Sequence, residues 1–231
     1  MSSMHSGHRQ RLKERFRQEG LDSFDEINAL ELLLFYALPQ RDTNPLAHSL
    51  LERFGSLTGV LEAKREELEQ VPGMGEHAST LLTRVKDLCR YYAVRRMAVG
   101  RILPTLEKCG EYLVPFFVGQ RDETVYLLCL DGKCKVLACR KLGQGSVNSV
   151  GVPIRRVVET ALSVNASSVV LAHNHPSGLA LPTQEDIQVT KKVALALYLV
   201  GVQLSDHVIV ADEDFVSLAD SGLYDPKEIR A

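Results

Sequence analysis

The stretch SSVVLAHNHPSG, residues 167–178, decides how this chain is read. Val169 to Ala172 form an apolar run that suits a buried strand, and Pro176 ends it. His173 and His175 stand at the end of that run. Side chains two apart on a strand share a face, about 6.6 Å apart along the chain. Two imidazoles so placed can converge on one ion. They can equally be ordinary hydrogen-bonded residues, so the pair alone does not define a site. Asn174 points to the opposite face, where backbone bonding is expected, and Gly178 serves the turn.

A third ligand is available downstream in TQED, residues 183–186. Thr183 is placed as the N-cap of a helix and Asp186 as its N3 residue. A carboxylate in the first helical turn is held in place and can reach the strand end. Two histidines and an aspartate leave a four-coordinate zinc ion one open position, which marks catalytic rather than structural sites. Zinc there brings the pKa of a bound water to near neutrality. Such a set would hold one Zn2+ per chain. His207, after Asp206 at the mouth of a later strand, either supports this site or makes an unrelated hydrogen bond. The letters HNH are not a nuclease motif, which spreads its residues over a ββα unit. A zinc deaminase would need H-x-E and P-C-x-x-C, and neither occurs.

Around this segment the chain reads as two parts. Its 231 residues allow one large domain or two small ones, and 45% hydrophobic with 24% charged residues is an ordinary globular mix. FDEINALELLLFYAL (24–38) has helical apolar spacing. NPLAHSLLERFG (44–55) predicts a helix capped by Asn44, with Pro45 at N1 and an end at Gly55. Arg84 to Val99 predicts a basic helix. Gly100 and Pro104 interrupt the pattern, so the expected domains are 1–102, all helical, and 103–231, mixed α/β. In the second part, TVYLLCLDGKCKVLACRKL (124–142) predicts a hairpin about Asp131-Gly132. IRRVVETALSVNA (154–166) predicts a helix and GQGSVNSVGVP (143–153) a loop. Residues 183–201 predict a helix closed by Gly201, and 202–212 a strand.

The net charge of −2 argues against a protein that coats nucleic acid by bulk charge. Basic residues nonetheless cluster in 8–17 and 84–101, either as a local basic face or as solvated helix surface. No apolar run is long enough for a membrane span, and the basic N-terminus lacks the apolar stretch of a signal peptide. The five cysteines are odd in number and sit mostly in apolar segments, so a reduced, cytoplasmic protein without membrane contact is expected. Cys129, Cys134 and Cys139 form no C-x-x-C pair and read as strand-packed thiols rather than a zinc site.

LEQVPGMGEHA, residues 68–78, sets a glycine turn between two helices. Gly73 and Gly75 allow close approach to a phosphate, and the next helix offers N–H groups at its positive end. The segment resembles the helix-hairpin-helix modules of DNA-repair and recombination proteins, with the hairpin at about 68–80. Gly73, Gly75 and Arg84 are then the candidate contacts to a DNA backbone. Glu76 at the tip opposes that role, and the same turn also serves as a packing element.

The spacing H-x-H-P-x7-T-x2-D closely resembles the JAMM (MPN) metalloprotease motif, H-x-H-P-x7-S-x2-D. With DHVIV (206–210) and the hairpin segment ahead of it, the chain resembles the RadC family from about Arg9 to Leu223. The resemblance implies a small helical domain followed by a JAMM/MPN mixed-sheet domain of cytidine-deaminase-like architecture. It implies that His173, His175 and Asp186 bind zinc. Thr183, where the motif has Ser, would steady the oxyanion. An upstream glutamate would be the general base, and Glu123 matches its strand-start setting, with Asp122, Glu111 and Glu159 as competitors. The expected activity is zinc-dependent hydrolysis of an amide or isopeptide bond in a protein or peptide. The alternative is a DNA-binding repair accessory protein whose metal site is structural or vestigial.

Overall fold

The computed structural model describes residues 3–96, 99–145 and 152–230. The chain divides into two compact units, Met1–Cys89 and Arg90–Ala231.

The first unit is helical: α1 (Ser3–Glu19), α2 (Glu26–Ala37), α3 (Asn44–Phe54), α4 (Leu57–Glu62), α5 (Arg65–Glu69) and the start of α6 (Glu76–Arg96). Asp25 caps α2 by accepting the Asn28 N–H at 2.7 Å. In α3 the cap position is Thr43, and Asn44 lies inside the helix. The reason is competition for the Asn44 side chain. Its amide donates to the buried Glu31 carboxylate at 3.2 Å, while Asp42 Oδ1 takes the Asn44 N–H at 3.1 Å. Gly55 ends α3 with φ 82°, as its position predicts. Leu30, Leu34, Leu50, Leu68 and Leu82 are buried together as the core. The helix expected from Arg84 starts earlier, at Glu76.

The second unit contains α7 (Leu106–Leu113), β1 (Glu123–Leu130), β2 (Val136–Gly145), α8 (Ile154–Ser163), β3 (Ser168–Asn174), α9 (Gln184–Tyr198), β4 (Gln203–Ala211) and β5 (Asp214–Ser217). The sheet order is β2-β1-β3-β4-β5. Every pairing is antiparallel except β3 with β4, which α9 connects as a crossover. The hairpin about Asp131 forms because its Oδ1 accepts the N–H groups of Lys133 and Lys135 at 2.8 and 2.9 Å. The segment expected to be a loop from Gly143 begins as strand, since β2 continues to Gly145; residues 146–151 lie outside the described residues.

One face of the sheet packs Val125, Leu127 and Leu171 against α8 and α9 through Val157, Val193 and Leu197. The other packs Tyr126, Val170 and Val208 against Tyr112 of α7 and Phe116. Gly110 of α7 lets the helix lie on the Phe215 ring: a Cβ there would sit 2.1 Å from a ring carbon. The carboxyl ends of the parallel pair β3 and β4, next to the start of α9, are where the candidate residues gather.

Candidate metal centre

His173 is the next-to-last residue of β3 and is only 2% exposed. His175 lies just beyond the strand, yet its N–H still bonds Val210 O of β4 at 2.8 Å. The extended backbone therefore persists, and both rings fall on one face. Their Nε2 atoms are 3.0 Å apart. Asp186 closes the group from α9, with Oδ1 3.2 Å from His173 Nε2 and Oδ2 3.6 Å from His175 Nε2. One ligand atom from each residue lies within 4.8 Å of the others, the arrangement that can hold a metal ion.

Proton bookkeeping shows what this cluster needs. His175 Nδ1 is 3.1 Å from Leu179 O. A carbonyl only accepts, so Nδ1 carries the hydrogen and the neutral ring has its lone pair on Nε2. That lone pair faces a second imidazole and a carboxylate. Groups of this kind held so close need a shared proton or a metal cation among them. Burial would raise the Asp186 pKa, but the adjoining His173 imidazole and the hydrogen bonds from Thr183 hold the carboxyl well below the usual carboxylate range. The set of two imidazole nitrogens and one carboxylate suits zinc, whose usual four-coordination would take one further ligand.

Thr183 caps α9 in a reciprocal box. Its N–H and hydroxyl donate to Asp186 Oδ2 at 2.7 and 2.6 Å, and the Asp186 N–H returns to Thr183 Oγ1 at 3.2 Å. The hydroxyl is thus engaged with Asp186 rather than turned to open space. Glu123 opens β1, half-buried, two residues before Val125, which pairs with His173. Side chains two apart share a face, so Glu123 projects from the face that carries His173. Asn174 pins this segment: its Oδ1 accepts the Thr124 N–H at 2.8 Å and its amide donates to Asp122 O at 3.3 Å. The competing carboxylates are engaged elsewhere. Asp122 accepts from Gln144 at 2.9 Å, Glu111 pairs with Lys108 at 2.6 Å, and Glu159 pairs with Arg155 at 2.7 Å.

His207 touches His173, with 2.8 Å between its Nε2 and His173 Nδ1, and is 1% exposed. Burial, then the neighbouring His173, pushes its pKa well below the ordinary value. Its Nδ1 lies 2.6 Å from Thr190 Oγ1. Thr190 escaped the sequence reading. The available signal was its spacing, one turn after Asp186 on the face of α9 that turns to the strand ends.

Gly73, Gly75 and Arg84 lie in the first unit. Gly73 has φ 97°, a conformation that favours glycine, and its carbonyl accepts from Arg41 at 3.2 Å. Nothing lies within 4 Å of a Cβ built on Gly75. Glu76 is paired with Arg65 at 3.3 Å, and the exposed Arg84 with Asp87 at 3.2 Å. Arg9 and Arg15 of the first basic cluster bond backbone carbonyls of their own unit.

A five-stranded mixed sheet with a His-His-Asp donor set at the end of its parallel pair has the outline of a JAB-type domain. Residues 103–223, more than half of the chain, match the RadC-like JAB domain family, and the chain belongs to the RadC family. The match does not reach the glycine turn at 68–78. Among the described residues, no helix is long and apolar enough to cross a membrane.

Proposed function

We propose that this protein is a zinc-dependent hydrolase of the JAMM type, cutting an amide or isopeptide bond in a protein or peptide substrate. The observation that carries this reading is the convergence of His173 Nε2, His175 Nε2 and Asp186, with His175 Nδ1 turned away onto a carbonyl. These three residues would hold one zinc ion. Bound zinc supplies Lewis acidity towards a carbonyl and lowers the pKa of water to near neutrality. Glu123 takes the proton of the attacking water and returns it to the leaving amine. Asn174 keeps the Glu123 segment in register with the ligands. The Thr183 hydroxyl donates to Asp186 in the resting site, and exchanging that acceptor for a developing oxyanion is the role proposed for it.

The test is metal content followed by turnover. The purified protein should carry about one zinc per chain, and His175→Ala or Asp186→Ala should lose it. Glu123→Gln should keep the metal and lose roughly 100-fold or more of the hydrolysis of amide and isopeptide-linked peptides. A wild-type protein that takes up no stoichiometric zinc sinks the proposal at its first step.

A second reading is compatible with the first: contact with a DNA backbone through residues 68–80, in a repair or recombination role. The open space at Gly75, just ahead of the N-terminus of α6, favours it. Gly75→Asp adds negative charge without requiring a strained φ. It should weaken binding to duplex DNA, as should Arg84→Glu, and binding should fall as salt rises. Binding indifferent to both variants leaves the turn a packing element.

A further inference from the structure

Two side chains behind the metal ligands have no role so far, and their hydrogen bonds allow only one order of protons. Thr190 Oγ1 lies 2.6 Å from Asp186 O and 2.6 Å from His207 Nδ1. Its single proton serves one of these. The carbonyl has no proton to offer, and two bare oxygens at that distance repel, so the hydroxyl donates to Asp186 O. Helical threonines commonly bond the carbonyl one turn back in this way. The Thr190 oxygen is left as an acceptor, and His207 Nδ1 must carry a hydrogen. The neutral His207 ring is then bare at Nε2, which faces His173 Nδ1 at 2.8 Å. One proton fits between those nitrogens, and it belongs to His173. A neutral His173 with its hydrogen on Nδ1 has its lone pair on Nε2, aimed at His175 and Asp186.

We infer that Thr190 and His207 form a buried relay that fixes the tautomer and orientation of His173 as a metal ligand. Both are positioning residues, and neither touches the proposed substrate. The chain of contacts runs from α9 through β4 to β3 and returns to the backbone of Asp186, itself a ligand. The relay therefore ties two ligands on different elements to one hydrogen-bonded unit. His175 needs no such device, because Leu179 O already sets its tautomer. Reversing the relay shows its importance. With His207 protonated at Nε2 instead, His173 Nδ1 becomes the acceptor and the His173 proton moves to Nε2, where it blocks the metal.

This inference rests on the metal-site reading, but it has a readout that needs no metal. In full-length protein with labelled histidine nitrogens, the nuclear magnetic resonance signals of His207 should show the Nδ1–H form, with and without zinc. Thr190→Val keeps the shape and removes the acceptor. It should shift His207 towards the Nε2–H form and weaken zinc binding roughly 10–100-fold against a chromophoric chelator. Thr190→Ser restores the hydroxyl and should restore both the tautomer and the affinity. Thermal melting separates these effects from general damage, since a merely structural role would lower stability without moving the tautomer. An Nε2–H form of His207 in the wild-type protein overturns the relay. So does Thr190→Val binding zinc as tightly as wild type. A wild-type protein that binds no zinc overturns the metal-site reading instead, and the His207 tautomer then decides the relay alone.

Discussion

Asp206 shows how much one buried atom group can weigh. It is 0% exposed, and its Oδ1 accepts the N–H groups of His207 and Ala219 at 2.7 and 3.0 Å. Burial pushes its pKa up to about 6 from the usual 3.8, against the pull of those hydrogen bonds and of Ser217. Between those two values the folded state holds a proton that the unfolded chain has released. This contributes stability that is complete below the unfolded value and is lost as pH rises through about 6. Asp206→Asn keeps an acceptor for both N–H groups and removes the ionisation. It should raise stability at pH 8 by on the order of 2–3 kcal/mol relative to wild type, and the gain should shrink on acidification below pH 6. Chemical denaturation of both proteins at pH 5 and pH 8 checks this. A gain independent of pH would mean that Asp206 is not the titrating group.

At the scale of elements, Gly110 sets how closely α7 lies on β5. Gly110→Val should destabilise the protein by about 1–3 kcal/mol through overpacking against Phe215, although valine is the better helix former of the two. An unchanged melting temperature would show that the Phe215 ring moves aside freely. The same scale shows what could be read in the sequence. The hairpin about Asp131, the buried β3 and the helix after Thr183 were legible because apolar runs, a turn pair and a cap residue coincide there. The cap of α3 was misplaced by one residue, because the Asn44 side chain is recruited by Glu31, a partner distant in sequence. Helix α7 and strand β5 were not anticipated. Helix α7 is amphipathic but only 8 residues long and β5 only 4, too short for their patterns to stand out in the sequence. The His173, His175 and Asp186 group was legible as a spacing. The Thr190–His207 contact was not, because a hydroxyl and an imidazole meet only after α9 has folded back on β4.

At the scale of the whole molecule, the two proposed functions fall on two different compact units, so each should be open to impairment without the other. Gly75→Asp or Arg84→Glu should reduce DNA binding and leave zinc content at about one per chain, while Asp186→Ala should do the reverse. Measuring both quantities on each full-length variant tests this, and a variant that loses both together would contradict it. The candidate ligand set itself is local. His173, His175 and Asp186 fall within one strand, its turn and the first turn of the next helix. Closing so short a loop is entropically cheap, so an unfolded chain already holds a workable chelator. On the proposed zinc reading, the denatured chain would also bind the ion, though more weakly than the folded site, and the effect of zinc on the unfolding midpoint should be smaller than the affinity of the native site alone would produce. On that reading, the same locality would let a metal be captured during folding, before β1 and β4 have joined the strand between them.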